Sequence, residues 1–90
     1  LPGTSLYLRK PYADGRAMID ANVPVAIATD CNPGSCAVES LSFVIGLACH
    51  GNRLLPAEAI CAATHNAAAS LGFADRIGRI EPGLWANLLL

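Results

Sequence analysis

Residues whose side chains could do chemistry are concentrated in the stretch Thr29-Asp30-Cys31-Asn32-Pro33-Gly34-Ser35. Asp30 follows the apolar run at residues 23–28 after a single threonine, Thr29. In α/β proteins the carboxyl end of such a run is where reactive groups are placed. A carboxylate there could be a metal ligand, a general base or a helix cap. The alternative is an Asx-type turn in which Asp30 or Asn32 caps its own loop. Spacing alone leaves the functional and the capping interpretations equally open.

The residues after Asp30 could hold a small polar molecule. Asn32 offers an amide donor and an acceptor, and Gly34 permits a positive φ and a close approach of the backbone. Ser35 lies shortly before a predicted helix, whose free N–H groups could bind a polar or anionic group. We therefore take Asn32, Gly34 and Ser35 as candidate substrate-binding residues beside Asp30.

The elements that would position this loop are predicted from local patterns. A buried parallel strand is predicted over residues 25–29, because the run is apolar, rich in β-branched residues and bounded by turns. A helix over residues 14–21, capped by Asp14, precedes it and makes an αβ unit. A helix over residues 38–50, apolar almost all round, follows the loop.

The remaining segments complete an α/β pattern. Residues 1–8 are interpreted as the end of a strand and a loop. Pro56 is suited to the first position of a helix that runs to about Leu71. A short strand and turn are predicted over 78–83, and the start of another strand over 86–90.

Composition and charge exclude several classes of protein. The chain has 90 residues, 53% of them hydrophobic, and a formal net charge of −1. These residues show no basic stripe for nucleic acid and no apolar run of the roughly 20 residues that a membrane helix needs, and no signal peptide is visible among them. The four cysteines form no Cys-x-x-Cys pair, so we expect free thiols and a cytoplasmic location rather than a disulfide framework.

The ends of the sequence suggest a piece of a longer protein. The chain opens on Leu1 without an initiator Met and closes in the apolar run Leu88-Leu89-Leu90. Natural termini usually fray through polar residues. We expect the missing parts to cover the excess apolar surface.

Four motifs, in order along the chain, carry a resemblance to a known family. They are Leu-Pro-Gly at the start, Thr-Asp-Cys-Asn-Pro-Gly-Ser, Leu-Pro-Ala-Glu-Ala with Thr-His-Asn-Ala-Ala-Ala-Ser-Leu-Gly, and Asp-Arg-Ile-Gly-Arg-Ile-Glu-Pro-Gly-Leu-Trp-Ala-Asn-Leu. Together they resemble the C-terminal part of an amidohydrolase-superfamily enzyme, and the Asp-x-Asn-Pro-Gly loop most resembles the imidazolonepropionases. Asn87 stands where the family commonly has Asp, and Leu55 where Ser or Thr often precedes the helix-opening Pro.

The resemblance implies a fold and a division of the chain. The fold would be α/β, comprising the last βα units of a metal-dependent (β/α)8 TIM barrel that run into the start of a small β-sandwich domain. Residues 1–72 would belong to the barrel and residues 73–90 to the small β domain, both incomplete.

The resemblance also implies a reaction and roles for residues. Asp30 would stand at the end of the eighth strand as ligand of a Zn²⁺ or Fe ion and as the catalytic acid–base, while Asn32, Gly34 and Ser35 would contact the small-molecule substrate. The reaction would open 4-imidazolone-5-propanoate to N-formimidoyl-L-glutamate in histidine degradation, in an enzyme that is a homodimer at full length.

The family's His-x-His strand and its later histidine are absent from these residues, so the 90-residue chain alone should be inactive. Two other readings stay open: another amidohydrolase, such as a deaminase of a purine, pyrimidine or triazine ring, or a truncated, non-catalytic interaction domain.

Overall fold

The computed structural model describes residues 1–89. Within this range the helices are α1 (Pro2–Tyr7), α2 (Gly15–Asp20), α3 (Leu41–Gly51), α4 (Pro56–Ala63) and α5 (His65–Ser70). Irregular segments join them, and an isolated antiparallel bridge pairs Asn32 with Cys36. No helix in this range is long and apolar enough to cross a membrane.

Helices form in each of the three regions where the sequence predicted them, and local capping explains where they begin. Asp14 caps α2 by accepting a 3.1 Å hydrogen bond from the Ala17 N–H. α3 begins at Leu41 rather than at the predicted Val38, because the hydroxyl of Ser40 accepts from the Phe43 N–H and sets the first turn there. Pro56 occupies the first position of α4, as predicted.

The single helix predicted over residues 56–71 is broken in two at Thr64. The backbone of Thr64 leaves the helical region, with φ −120° and ψ −87°. Its hydroxyl donates a 2.7 Å bond to the Ile60 carbonyl. Such a bond from a Thr side chain to the preceding turn competes with the backbone ladder and bends helices. α5 therefore starts afresh at His65.

The predicted strands are absent from residues 1–89. The segment 25–29 is irregular, and its backbone groups bind α4 and α5 instead of a neighbouring strand. The Ile27 N–H donates to the Ala62 carbonyl at 3.1 Å, and Asn66 Nδ2 donates to the Val25 carbonyl at 2.9 Å. A strand needs a partner backbone to bind, and the described chain holds none beside this segment.

The other strand predictions are also wrong over the described residues. Residues 2–7 form α1, because Pro2 fits the first turn of a helix. Residues 78–83 contain turns, and no strand is formed over 86–89. Position 90, the last of that predicted strand, lies outside the described residues. Of the α/β pattern predicted from the sequence, residues 1–89 thus contain the helices and none of the strands.

The core joins α3 to α4. Its buried members are Ile27, Val44, Ala48, Leu54, Ala59 and Ala62. The small alanine side chains let the two helices approach closely, and Ile27 packs into the same cluster. This contact, with the hydrogen bond from Ile27 to α4, fixes the segment that leads into Asp30.

Helix α1 lies against the loop that follows Asp30. Pro2 and Gly3 are buried, and a Cβ added at Gly3 would lie 2.8 Å from the sulfur of Cys36. Cys36 is itself fully buried, and its thiol donates to the Thr29 carbonyl at 3.3 Å. All four cysteines are free thiols, as the sequence predicted.

Candidate catalytic loop

Asp30 is half-buried and has an unusual backbone conformation. Its φ is +52°, in the left-handed region that few residues other than glycine adopt. Asp tolerates this region better than most residues because its short side chain can hydrogen-bond locally. The hydroxyl of Thr4, on α1, donates a 2.7 Å hydrogen bond to Asp30 Oδ2. The carboxylate is therefore held from an element far away in sequence.

Asn32 organises the loop. Its Oδ1 accepts from the backbone N–H of Gly34 at 2.9 Å and of Ser35 at 2.8 Å. Its Nδ2 donates to the carbonyl of Asp30 at 2.6 Å and to the Ser35 hydroxyl at 3.0 Å. This is the Asx-type turn that the sequence left open as the alternative, and Asn32 rather than Asp30 makes it. The hydrogen-bonding atoms of this side chain are engaged inside the loop.

The other two candidate residues lie in the same turn. Gly34 is exposed, and the positive φ expected of it belongs to Asp30 instead. The Ser35 hydroxyl is half-buried beside the Asn32 amide. The helix behind the loop begins only at Leu41, with Ser40 bound to its first turn. The structure thus brings Asp30, Asn32, Gly34 and Ser35 together, and substrate contact by the last three stays a prediction.

The described residues supply one element of a metal site. A carboxylate oxygen is a suitable ligand for Zn²⁺ or Fe, but a catalytic metal is usually held by about three protein ligands. Among residues 1–89, no group of three or more His, Cys, Asp or Glu side chains could hold an ion. His50 and His65 lie in α3 and α5 and complete no such group with Asp30.

An ion pair joins α2 to α4. Arg16 Nη1 and Nη2 donate to Glu58 Oε2 and Oε1 at 2.8 and 3.0 Å, a two-point contact. Hydrogen bonding by Arg16, and then by the Leu55 N–H, lowers the pKa of Glu58. The same contact raises the pKa of Arg16. The pair fixes the scaffold and contributes no atom to the loop.

Thr4 is the site residue that sequence reasoning missed. Its partner is 26 positions away, and residues 1–8 were interpreted as strand end and loop. The Leu-Pro-Gly motif at the start of the chain marks the family but does not indicate this contact. A contact between distant residues has no local pattern from which it could be predicted.

Comparison with known proteins defines the class. The model of the amidohydrolase family matches residues 1–90. The chain therefore belongs to the amidohydrolase family of hydrolases, and this membership indicates the superfamily of the TIM barrel.

The similar curated proteins are more specific. The chain is 52% identical to the imidazolonepropionases of Geobacillus kaustophilus and Geobacillus thermodenitrificans. It is 51% identical to that of Desulfotalea psychrophila. Each match covers 90 residues, the whole of this chain, and 21 to 22% of the relative. The resemblance to the imidazolonepropionases is confirmed, whereas the assignment to the C-terminal part of the enzyme stays a prediction. The chain spans about a fifth of the length of these curated relatives.

Proposed function

We propose that this chain is part of a metal-dependent hydrolase that opens the ring of 4-imidazolone-5-propanoate to give N-formimidoyl-L-glutamate, a step of histidine degradation. The observation that carries the proposal is the 52% identity, over the whole chain, to proteins named imidazolonepropionase. The geometry of the loop supports it, since Asp30 is a half-buried carboxylate fixed at both its backbone and its side chain.

The reaction needs one carboxyl group that both accepts and returns a proton. The oxygen of water bonds to the ring carbonyl carbon, the adjacent carbon–nitrogen bond breaks, and the ring nitrogen leaves with a proton. Asp30 would accept the proton from water and then deliver it to the departing nitrogen, as general acid–base catalysis requires. A bound Zn²⁺ or Fe would supply the acidification of the water and the polarisation of the carbonyl.

The rest of the loop would act by positioning. The Asn32 amide donates a hydrogen bond to the Asp30 carbonyl. This bond restrains rotation of the backbone that carries the carboxylate. The exposed Gly34 and the Ser35 hydroxyl would orient the ring and its polar edges. Holding reacting groups in register can supply a large part of a rate enhancement.

Several features of the complete enzyme belong to this proposal. The other metal ligands would come from residues outside this chain. Residues 1–72 would complete the C-terminal end of a TIM barrel and residues 73–90 would enter a small β-sandwich domain. The full-length enzyme would be a cytoplasmic homodimer, and the 90-residue chain alone would be inactive.

The test uses the full-length enzyme, its Asp30→Asn variant and an Asp75→Asn control. Asparagine tolerates the left-handed backbone and can still accept the Thr4 bond, but it cannot carry the proton. Asp75 is an exposed carboxylate 3.6 Å from its neighbour Arg76, so its substitution matches the charge change away from the loop. Ring opening of 4-imidazolone-5-propanoate and bound metal would be measured for all three.

We expect Asp30→Asn to lower kcat by at least about 10²- to 10⁴-fold, the range that a general acid–base contributes. Asp75→Asn should retain the activity. Substantial turnover by folded Asp30→Asn would remove the catalytic assignment. A metal-bound protein inert on this substrate but releasing ammonia from a purine, pyrimidine or triazine ring would favour the deaminase alternative.

A further inference from the structure

We propose that Thr4 is a positioning residue for Asp30. Its hydroxyl would hold one carboxylate oxygen and so fix the orientation in which the carboxylate meets the metal and the reacting water. This inference rests on the proposed function, because it assigns a role to Thr4 within that same site. In this role Thr4 links α1 to catalysis, although α1 contributes no residue to the loop itself.

The hydrogen bond distinguishes the two oxygens of Asp30. The Thr4 hydroxyl donates to Oδ2 at 2.7 Å, and the contact is partly buried. Within residues 1–89, Oδ1 accepts no hydrogen bond. The terminal torsion of an aspartate has a broad, two-fold preference, so the carboxylate can rotate unless one oxygen is held. A bond from a donor to a charged oxygen is among the stronger hydrogen bonds in proteins.

The backbone below the carboxylate is fixed independently. Asn32 Nδ2 donates to the Asp30 carbonyl at 2.6 Å. Asp30 is therefore held at its main chain by the loop and at its side chain by α1. With the first constraint alone, the carboxylate would still rotate about its own bonds. The second constraint is the one that selects an orientation.

The packing of α1 makes Thr4 a rigid donor. Gly3, the residue before it, sits so close to Cys36 that an added Cβ would lie 2.8 Å from the sulfur. Pro2 and Cys36 are both fully buried at this contact. A donor on a freely moving segment would lose much of its bond to entropy, but here the segment is already ordered by burial. Thr4 itself is half-buried.

The experiment compares Thr4→Val with Thr4→Ser in the full-length metal-loaded enzyme. Valine keeps the shape of threonine and loses the hydroxyl, whereas serine keeps the hydroxyl. Thr64→Val is the matched control, because the Thr64 hydroxyl also donates at 2.7 Å, but to a backbone carbonyl of α4. The measurements are kcat, KM, the thermal midpoint, and the rate at which a chelator removes the metal.

We expect Thr4→Val to lower kcat by about 10- to 100-fold, since hydrogen bonds to charged groups are worth about 1.5–3 kcal/mol. KM should change by less than about threefold, because substrate binding does not use this hydroxyl. Chelator stripping should be about tenfold faster, since the carboxylate that ligates the metal is then free to rotate. Thr4→Ser should restore both values, and Thr64→Val should leave both unchanged.

Two results would overturn the proposal. One is a Thr4→Val enzyme with the kcat and metal retention of the parent. The other is equal impairment of Thr4→Val and Thr4→Ser with a matching fall in the thermal midpoint, which would make Thr4 structural only. If Thr4→Val does not fold, Thr4→Ala takes its place and is judged by the same rescue.

Failure of the proposed function is separable from failure of this inference. If the full-length protein is inert on 4-imidazolone-5-propanoate, the substrate assignment fails. Metal retention then decides the role of Thr4 without any turnover. Faster stripping in Thr4→Val that Thr4→Ser restores would support the positioning role, and unchanged stripping would overturn it.

Discussion

At the scale of single residues, the loop shows how one side chain can shape a site without reacting. Asn32 was taken from the sequence as a substrate contact, and its amide is found binding the backbone of Asp30, Gly34 and Ser35. Because the amide already makes these hydrogen bonds within its own loop, few of its donor and acceptor positions remain for a ligand. Its first effect on activity should therefore come through the geometry of Asp30.

Asn32→Ala should destabilise the full-length protein by about 1–3 kcal/mol, because it removes the acceptor of two N–H groups and the donor to a carbonyl. Asn32→Asp should recover only part of this loss, since aspartate can accept in an Asx turn but cannot donate to the Asp30 carbonyl. Chemical denaturation measures both variants. Asn87→Ala is the control, an exposed amide for which no side-chain hydrogen bond is found within residues 1–89. An Asn32→Ala protein as stable as the parent would contradict the turn.

The position of Asp30 was predictable, and its conformation was not. A carboxylate after an apolar run, followed by Asn-Pro-Gly, gave the loop and its candidate residues. Gly34 was the natural residue for a positive φ, yet Asp30 has it, because contacts from Thr4 and Asn32 fix the chain there. Such contacts depend on tertiary structure and leave no mark in local composition.

At the scale of elements, helices were predicted better than strands for a physical reason. The signals that begin α2 and α4 are local, as with the Asp14 cap and Pro56. A strand is completed by another backbone, and within residues 1–89 the segment 25–29 instead binds α4, a side chain of α5 and the Cys36 thiol. Within the described structure only Ile27 of the apolar run at residues 23–28 is buried, so the pattern located a core contact and established neither a buried strand nor its pairing.

The contact of α1 with the loop can be tested by a double substitution. Gly3→Ala should displace α1, because its new Cβ would lie 2.8 Å from the Cys36 sulfur. The cost should be about 1–3 kcal/mol, typical of overpacking, with a fall in kcat as Thr4 moves away. In a Cys36→Ala background the sulfur is gone and the next atom, the Thr29 carbonyl oxygen, is 3.5 Å away.

Gly3→Ala should therefore cost much less stability in the Cys36→Ala protein than in the parent. Denaturation of the four proteins of the cycle in the full-length enzyme gives this coupling directly. Equal costs in both backgrounds would mean that α1 does not meet the loop at Cys36.

The ion pair between α2 and α4 predicts a dependence of stability on pH. Because Arg16 and the Leu55 N–H lower the pKa of Glu58 in the folded chain, the stabilisation is complete above the unfolded pKa near 4.5. It is lost as the pH falls through the lowered folded value, since the protonated carboxyl no longer pairs. Glu58→Gln should flatten this acid limb in pH-dependent denaturation.

The flattening should be partial, because Asp14 contributes in the same direction. The Ala17 N–H, and then Arg53, lower the pKa of Asp14. Glu39→Gln, at an exposed position, is the control and should leave the limb as it is in the parent. An identical limb in Glu58→Gln would show that the pair is absent in solution.

At the scale of the whole molecule, the chain exposes more surface than a self-sufficient domain of its mass. Its accessible area is 6091 Å², whereas a compact monomer of this mass should expose about 5,000 Å². The excess is apolar in part, with Leu71 71%, Ile80 89% and Leu89 98% exposed. A groove of about 700 Å³ that Ile45 and Trp85 help to line lies among these residues.

The isolated 90-residue chain should therefore bind an apolar dye such as ANS and aggregate, while the full-length protein does neither. Contiguous exposed apolar surface of this kind is covered in stable soluble proteins. Dye fluorescence and light scattering at matched concentrations measure the difference. A monomeric, cooperatively unfolding chain without dye binding would instead favour the non-catalytic interaction domain.

The left-handed backbone at Asp30 also limits how this position can drift during evolution. Substitution tables treat aspartate and glutamate as near equivalents, but glutamate has neither the short reach of Asp nor its tolerance of this conformation. The replacements that suit the backbone are asparagine and glycine, and both lack the negative charge. Gene copies released from selection for activity should accumulate Asn or Gly here before Glu, so that loss of the charge would precede any loss of the fold.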